Sequence, residues 1–200
     1  LLVLPASLLA NWKNEFQTFA PSLRLQFIHS SETSKSELEA LAKDPESQLA
    51  QTDVVLTTYG MLLRQDWILN TPWNLVILDE AQAIKNPNTR QTRAVKSLKG
   101  QSRIALTGTP IENRLSDLWS LFDFINPGLL GNLPTFLEYS KPSNNGNESN
   151  PFAPLRKLVS PYILRRLKTD KSVISDLPEK TEVNAYNSLS REQAALYQKT

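Results

Sequence analysis

Five short apolar runs punctuate the first 108 residues, each separated from the next by a stretch with helical periodicity. "LLVL" (1–4), "LRLQFIH" (23–29), "DVVLTTY" (53–59), "LVILDE" (75–80) and "RIALTG" (103–108) read as strands. Positions 54–56 and 75–78 are almost unbroken Val, Ile and Leu, the pattern of strands covered on both faces. Between the runs, helices are expected at 7–19, 34–50, 59–66 and 88–99, with Ser7 and Asn88 as N-caps. A further helix is expected at 115–125, "LSDLWSLFDFI", stopped by the "NPG" of 126–128. Residues 141–151 are polar and Asn/Ser-rich, a loop by composition. "SREQAALYQ" opens another helix, with Ser190 and Gln193 in capping-box spacing.

Alternation of this kind predicts a parallel sheet with helices on both faces, and ligands in such sheets bind beyond the carboxyl ends of the strands. Three strand ends carry polar constellations. Asp79 and Glu80 follow four hydrophobic residues. They are either a strand running into a loop or carboxylates for a metal ion and an attacking water. "LTGTP" (106–110) is either a tight turn or a place where small residues let the backbone approach a neighbouring loop. One intervening helix between Glu80 and Thr107 puts Thr107 and Thr109 on the same sheet edge as the acids. At 4–15, "LPASLLANWKNE" ends a strand and starts a helix whose amides could meet a phosphate. Trp12 there packs a helix on the sheet or stacks on a ligand.

Composition narrows these readings. The chain has 200 residues, 40% hydrophobic and 21% charged, which suits one ordinary domain or a domain with part of another. It contains no cysteine and one histidine, His29, which excludes disulfides, thiolate zinc sites and His-cluster metal sites. His29 reads as a strand-end residue. No apolar run approaches the ~20 residues of a membrane helix. Net charge is only +2, but it is uneven: residues 1–150 carry 13 basic and 15 acidic groups, residues 151–200 carry 9 and 5. No acid occurs between Glu80 and Glu112, while Lys85, Arg90, Arg93, Lys96, Lys99 and Arg103 fall there. That run is either a solvated helix face or a phosphate-facing patch.

Taken together, "LLVLPASLLANWKNEF", "VVLTTYGML", "VILDEAQAIKNPNTRQTRAV", "RIALTGTPIENRLSDLWSLFDFINPGLLG", "PYILRRLKTD" and "LPEKTE" resemble the Swi/Snf-type ATPases of helicase superfamily two. The resemblance covers nearly the whole chain and is nearest to the bacterial and archaeal branch. It implies an α/β, three-layer RecA-like (P-loop NTPase) fold. Residues 1–127 would form most of the first lobe, 128–160 an insertion or protrusion, 161–189 a basic connector, and 190–200 the start of the second lobe. It implies ATP and Mg²⁺ as cofactors, with Asp79 as metal ligand, Glu80 as catalytic carboxylate and Gln82 coupling the nucleotide site to the second lobe. Thr107, Gly108 and Thr109 would link hydrolysis to movement. Pro5, Ser7, Lys13, Thr57, Thr58, Tyr59, Lys85 and Asn86 would meet the DNA backbone, and Arg165, Arg166 and Lys168 form the basic element toward the second lobe.

The family's phosphate loop, GxxxxGK[ST], does not occur in the 200 residues, and no glycine precedes Gly60. The chain is therefore expected to be an N-terminally truncated piece of a longer motor, inactive by itself. The longer protein is expected to translocate on double-stranded DNA, act on a DNA-bound protein cargo, and lie in the cytoplasm at a bacterial nucleoid. Two rival classes are a non-catalytic DNA- or protein-binding lobe, and another superfamily-two helicase acting on RNA or in a restriction system.

Overall fold

The computed structural model describes residues 1–108, 114–139 and 152–166, with single positions at 183, 185, 189, 190, 193 and 197. The chain divides into two compact units, Leu1–Glu148 and Ser149–Thr200. In the first, five strands form one sheet: β1 (Leu2–Leu4), β2 (Leu25–Ile28), β3 (Val54–Thr58), β4 (Trp73–Leu78) and β5 (Gly100–Ala105). Their order is β2-β3-β1-β4-β5, and every pairing is parallel. The expected parallel α/β sheet is thus the architecture found.

The helices are α1 (Leu9–Phe19), α2 (Lys35–Lys43), α3 (Pro45–Leu49), α4 (Tyr59–Leu62), α5 (Asp66–Asn70), α6 (Arg90–Lys96), α7 (Leu115–Ile125) and α8 (Leu133–Tyr139). Period-two alternation sorts the strand side chains onto two faces. Val3, Val55, Val76 and Leu78 join Met61 and Leu62 of α4, Ile68 of α5, Val95 of α6, and Leu121 and Phe124 of α7 in one buried cluster. Leu2, Leu4 and Leu56 face the other way, onto Leu9, Trp12 and Phe16 of α1. Each such buried aliphatic or aromatic side chain contributes about 1.5–3 kcal/mol.

Several expected boundaries move, each for a local reason. The single helix expected at 34–50 is two: Asp44 ends α2, and its side chain then accepts the Ser47 amide as N-cap of α3, with Pro45 at the first helical position. The helix expected at 59–66 stops at Leu62, and α5 starts separately at Asp66. Ser7 is not an N-cap. It lies inside a 3-10 turn, Ala6–Leu8, and α1 begins without a side-chain cap. Asn88 does not cap α6 either: Thr89 does, accepting from the Thr92 amide at 3.1 Å, while Asn86 closes the turn by accepting the Asn88 amide at 3.0 Å.

β4 and β5 begin and end earlier than the apolar runs suggested, because Trp73 and Gly100 already pair. Nor is the 75–78 run covered on both faces: on the α1 side Leu75 stays 37% exposed, and Ile104 on β5, the partner of Ile77, 44%. His29 follows β2, as expected, with Nδ1 bonded to the Ser31 hydroxyl at 2.8 Å.

In the second unit, α9 (Ala153–Val159) runs into a 3-10 turn, Ser160–Tyr162. Ser190 and Gln193 do form the reciprocal pair their spacing predicted: each amide donates to the other's side-chain oxygen, at 3.0 and 3.3 Å. No helix among the described residues is long and apolar enough to cross a membrane.

Candidate functional site

Polar residues from the three strand ends meet at the carboxyl edge of the sheet, where element counting places Thr107 with the two acids. β4 ends at Leu78, and the Asp79 amide donates to the Val3 carbonyl at 2.8 Å, which carries the ladder one step beyond the strand. Beyond it, Leu106 donates to Leu78 and Ala81 donates to Leu106, at 2.8 and 2.9 Å. These bonds fix the depth at which the two acids emerge. Glu80 then takes the left-handed conformation, φ 49° and ψ 51°, the one described non-glycine residue with positive φ. A side chain held there costs about 1–3 kcal/mol unless its surroundings enforce it. Its reversal starts the 3-10 turn Ala81–Ile84, with Ala81 and Ile84 buried below.

Side chains close a chain of bonds across the edge. The Asp79 carboxylate accepts the Glu80 amide on Oδ1 at 2.9 Å and the Trp12 indole N–H on Oδ2 at 2.7 Å. The Gln82 amide nitrogen donates to the Glu80 carboxylate. Gln82 Oε1 accepts from the Thr107 hydroxyl at 2.9 Å. Tyr59 donates its phenol to the Asp79 carbonyl at 2.7 Å. Burial, and secondarily the charges of Asp79 and Glu80, push the Tyr59 pKa far above that of a free phenol, so it stays a donor. Asp79, Glu80, Gln82 and Thr107 are all half-buried, reachable from solvent yet held. Gly108 is exposed, and a Cβ there would meet nothing within 4 Å.

The other predicted residues are placed differently. Thr57, Thr58 and Tyr59 are buried, and their hydroxyls serve the fold: Thr57 bonds the Ile28 carbonyl at 3.1 Å and Thr58 caps α4. Pro5 is half-buried and Ser7 exposed at the start of α1. Lys13 is tied to Glu32 at 2.7 Å and lies 5.6 Å from the centre of the Phe27 ring. Lys85 is half-buried with a partner, and Asn86 is exposed. Arg165 and Arg166 are exposed in the second unit. Thr109 and Lys168 lie outside the described residues.

The acid-free basic run also divides. Lys96 bonds Asp123 at 2.8 Å and sits over the Trp119 ring at 4.5 Å, clasping α6 to α7. The Arg103 guanidinium donates to the Phe124 and Leu98 carbonyls at 3.0 and 2.8 Å. Burial holds its pKa below the usual guanidinium value. These two cations build the core; Arg90, Arg93 and Lys99 remain exposed. Residue type alone could not separate the groups, because Asp123 and one of the two carbonyls that bind Arg103 come from α7, more than twenty residues along the chain.

What the edge offers chemically is a pair of carboxylates with hard oxygen donors, one anchored on both oxygens and one aimed by an amide. Among the described residues no cluster of three or more His, Cys, Asp or Glu forms. The 750 Å³ depression lined by Pro45, Leu49, Trp67, Pro72 and Trp73 lies at the amino ends of the strands, away from this edge.

Comparison with known proteins decides the family. The SNF2-related domain model matches residues 1–200. The chain belongs to the SNF2-related family. Among its relatives, YwqA of Bacillus subtilis, whose name provisionally assigns an ATP-dependent helicase/translocase, is 42% identical over 200 residues, covering 99% of this chain and 21% of YwqA. The human DNA excision repair protein ERCC-6 is 37% identical over 212 residues, covering 99% of this chain and 14% of its own length. The Sulfolobus solfataricus SWI2/SNF2 ATPase core solved in complex with dsDNA shares 43% identity and a TM-score of 0.72, over 99% of this chain and 40% of that one. This SNF2-related chain thus has the parallel RecA-like fold of that ATPase core and spans about a fifth of YwqA and a seventh of ERCC-6.

Proposed function

We propose that these residues form the first ATPase lobe of a motor that hydrolyses ATP and moves along double-stranded DNA. The observation that carries this reading is the bonded chain Asp79–Glu80–Gln82–Thr107 at one sheet edge. The relative solved with dsDNA supports the choice of duplex. Mg²⁺ fits the edge: Asp79 would hold it through hard carboxylate oxygen, with phosphate oxygens and water completing the shell. When bound, the ion would neutralise charge on the transferring phosphoryl group. Glu80 would orient or deprotonate the attacking water, held in place by the Gln82 amide. Thr107, joined to the same Gln82, would carry the state of the nucleotide site toward the 107–109 segment and on to a second lobe. Contacts to DNA would be to phosphates, from the α1 start and from Lys85 and Asn86, and so sequence-independent and salt-sensitive.

The test uses the protein that carries this lobe with its remaining segments. Glu80→Gln is expected to leave ATP binding intact while hydrolysis falls by about 10²–10⁴-fold, the range for loss of a general base. Turnover within threefold of the unaltered protein would refute the role given to Glu80. ATPase rates with duplex DNA, single strands and RNA decide the substrate: stimulation by RNA alone would replace the DNA reading.

A further inference from the structure

Asp79 is held from two directions, and only one of them is local. The Glu80 amide on Oδ1 is one residue away in the chain. The Trp12 indole on Oδ2 is 67 residues away, on α1. Trp12 packs in the α1-side cluster with Leu2, Leu4, Leu9 and Leu56, and its ring lies 5.8 Å from Phe16 at 39°. Packing fixes the ring, so the N–H points at the carboxylate from a rigid platform.

A terminal carboxylate torsion is broad and two-fold, and one adjacent amide does not stop rotation. Two donors from different elements do. Each oxygen keeps a further lone-pair site, since an ionised carboxylate accepts about four bonds in all. The clamp therefore orients Asp79 without using it up.

We propose that Trp12 is a positioning residue that sets the Asp79 carboxylate for its metal ion, so that α1, the helix following the Pro5–Ser7 segment, is part of the metal site's outer support. This rests on the reading of Asp79 as the metal-facing carboxylate. Outer partners of metal-facing groups typically alter metal affinity by about 10–100-fold when removed. Trp12→Phe keeps an aromatic side chain in the cluster, smaller than indole, and removes the donor.

In the full-length protein, Mn²⁺ binding in the presence of ADP is measured by electron paramagnetic resonance, and ADP binding is measured separately in EDTA. Trp12→Phe is expected to weaken Mn²⁺ binding about tenfold while metal-free ADP affinity stays within twofold. Unchanged Mn²⁺ affinity, or equal weakening of both, overturns the proposal. Asp79→Ala separates the two ideas. If it binds Mn²⁺ like the unaltered protein, the metal reading of Asp79 fails; if it loses Mn²⁺ while Trp12→Phe does not, only the Trp12 assignment fails. A second measurement needs no Trp12 variant to fold. With 5-fluorotryptophan incorporated, one ¹⁹F resonance is expected to shift both on Asp79→Asn substitution and on addition of Mg²⁺ with ADP; no resonance responding to both overturns the proposal.

Discussion

If Gln82 is the shared partner of Glu80 and Thr107, removing it and removing Thr107's hydroxyl should not be independent events. Gln82→Ala deletes a donor to a carboxylate and an acceptor for a hydroxyl. A bond to a charged group is worth about 1.5–3 kcal/mol and a neutral one about 1, and half-exposure puts this site at the low end. About 2 kcal/mol of lost positioning corresponds to a fall in kcat of about 30-fold, with the KM for ATP changed little. Thr107→Val deletes the 2.9 Å bond to Gln82 Oε1 and keeps the side chain's volume. At about 1 kcal/mol it should slow turnover about fivefold. Because the second bond has no acceptor once Gln82 is alanine, the double variant should be about 30-fold slow, not about 150-fold. The assay is DNA-stimulated ATPase kinetics of the full-length protein for both single variants and the double, with Thr107→Ser as the hydroxyl-retaining control. Additive effects, within about 0.3–0.5 kcal/mol, would refute the relay and leave Glu80 and Thr107 as neighbours without coupling.

Two further predictions concern stability. Arg24 grips Asp53 through two guanidinium nitrogens at 3.0 and 3.1 Å and its backbone amide at 2.9 Å. The guanidinium bonds foremost, then the amide, lower the Asp53 pKa from 3.8 to about 2. A carboxyl group depressed on folding stabilises above its unfolded pKa and loses that contribution as pH falls toward the folded one. Urea melts should therefore show the loss between pH 3.8 and about 2, and Asp53→Asn should flatten that limb. An unchanged acid limb would refute the assignment. Phe124 on α7 is fully buried in the core, and the guanidinium carbon of Arg103 on β5 lies 5.2 Å from its ring centre. Phe124→Ala should lower unfolding free energy by about 3–5 kcal/mol in urea without changing the m-value, and a loss below about 1 kcal/mol would contradict its place in the core.

The sequence by itself determined the class of fold and which strand ends carry its polar residues. Continuous Val/Ile/Leu runs at helical intervals allow little but a parallel sheet, and Asp79–Glu80 and Thr107 could be put on one edge by counting elements. A capping box is a local bond pattern, so Ser190–Gln193 was legible; Ser7 and Asn88 were not, because several small polar residues compete at each start and backbone geometry chooses. What only the tertiary structure decided are contacts between residues far apart in the chain. Trp12 reads from the sequence as packing on the sheet or stacking on a ligand, and nothing in its neighbours says that its N–H reaches Asp79, 67 positions on. Lys96 and Arg103 looked like the rest of a basic run until α7 supplied Asp123 and the Phe124 carbonyl. That the Thr57 hydroxyl bonds the Ile28 carbonyl and Thr58 caps α4 likewise appears only once the elements pack. Periodicity records which face of an element is apolar, whereas the partner a polar atom finds depends on how separate elements are brought together, and that is fixed only when the whole sheet is covered.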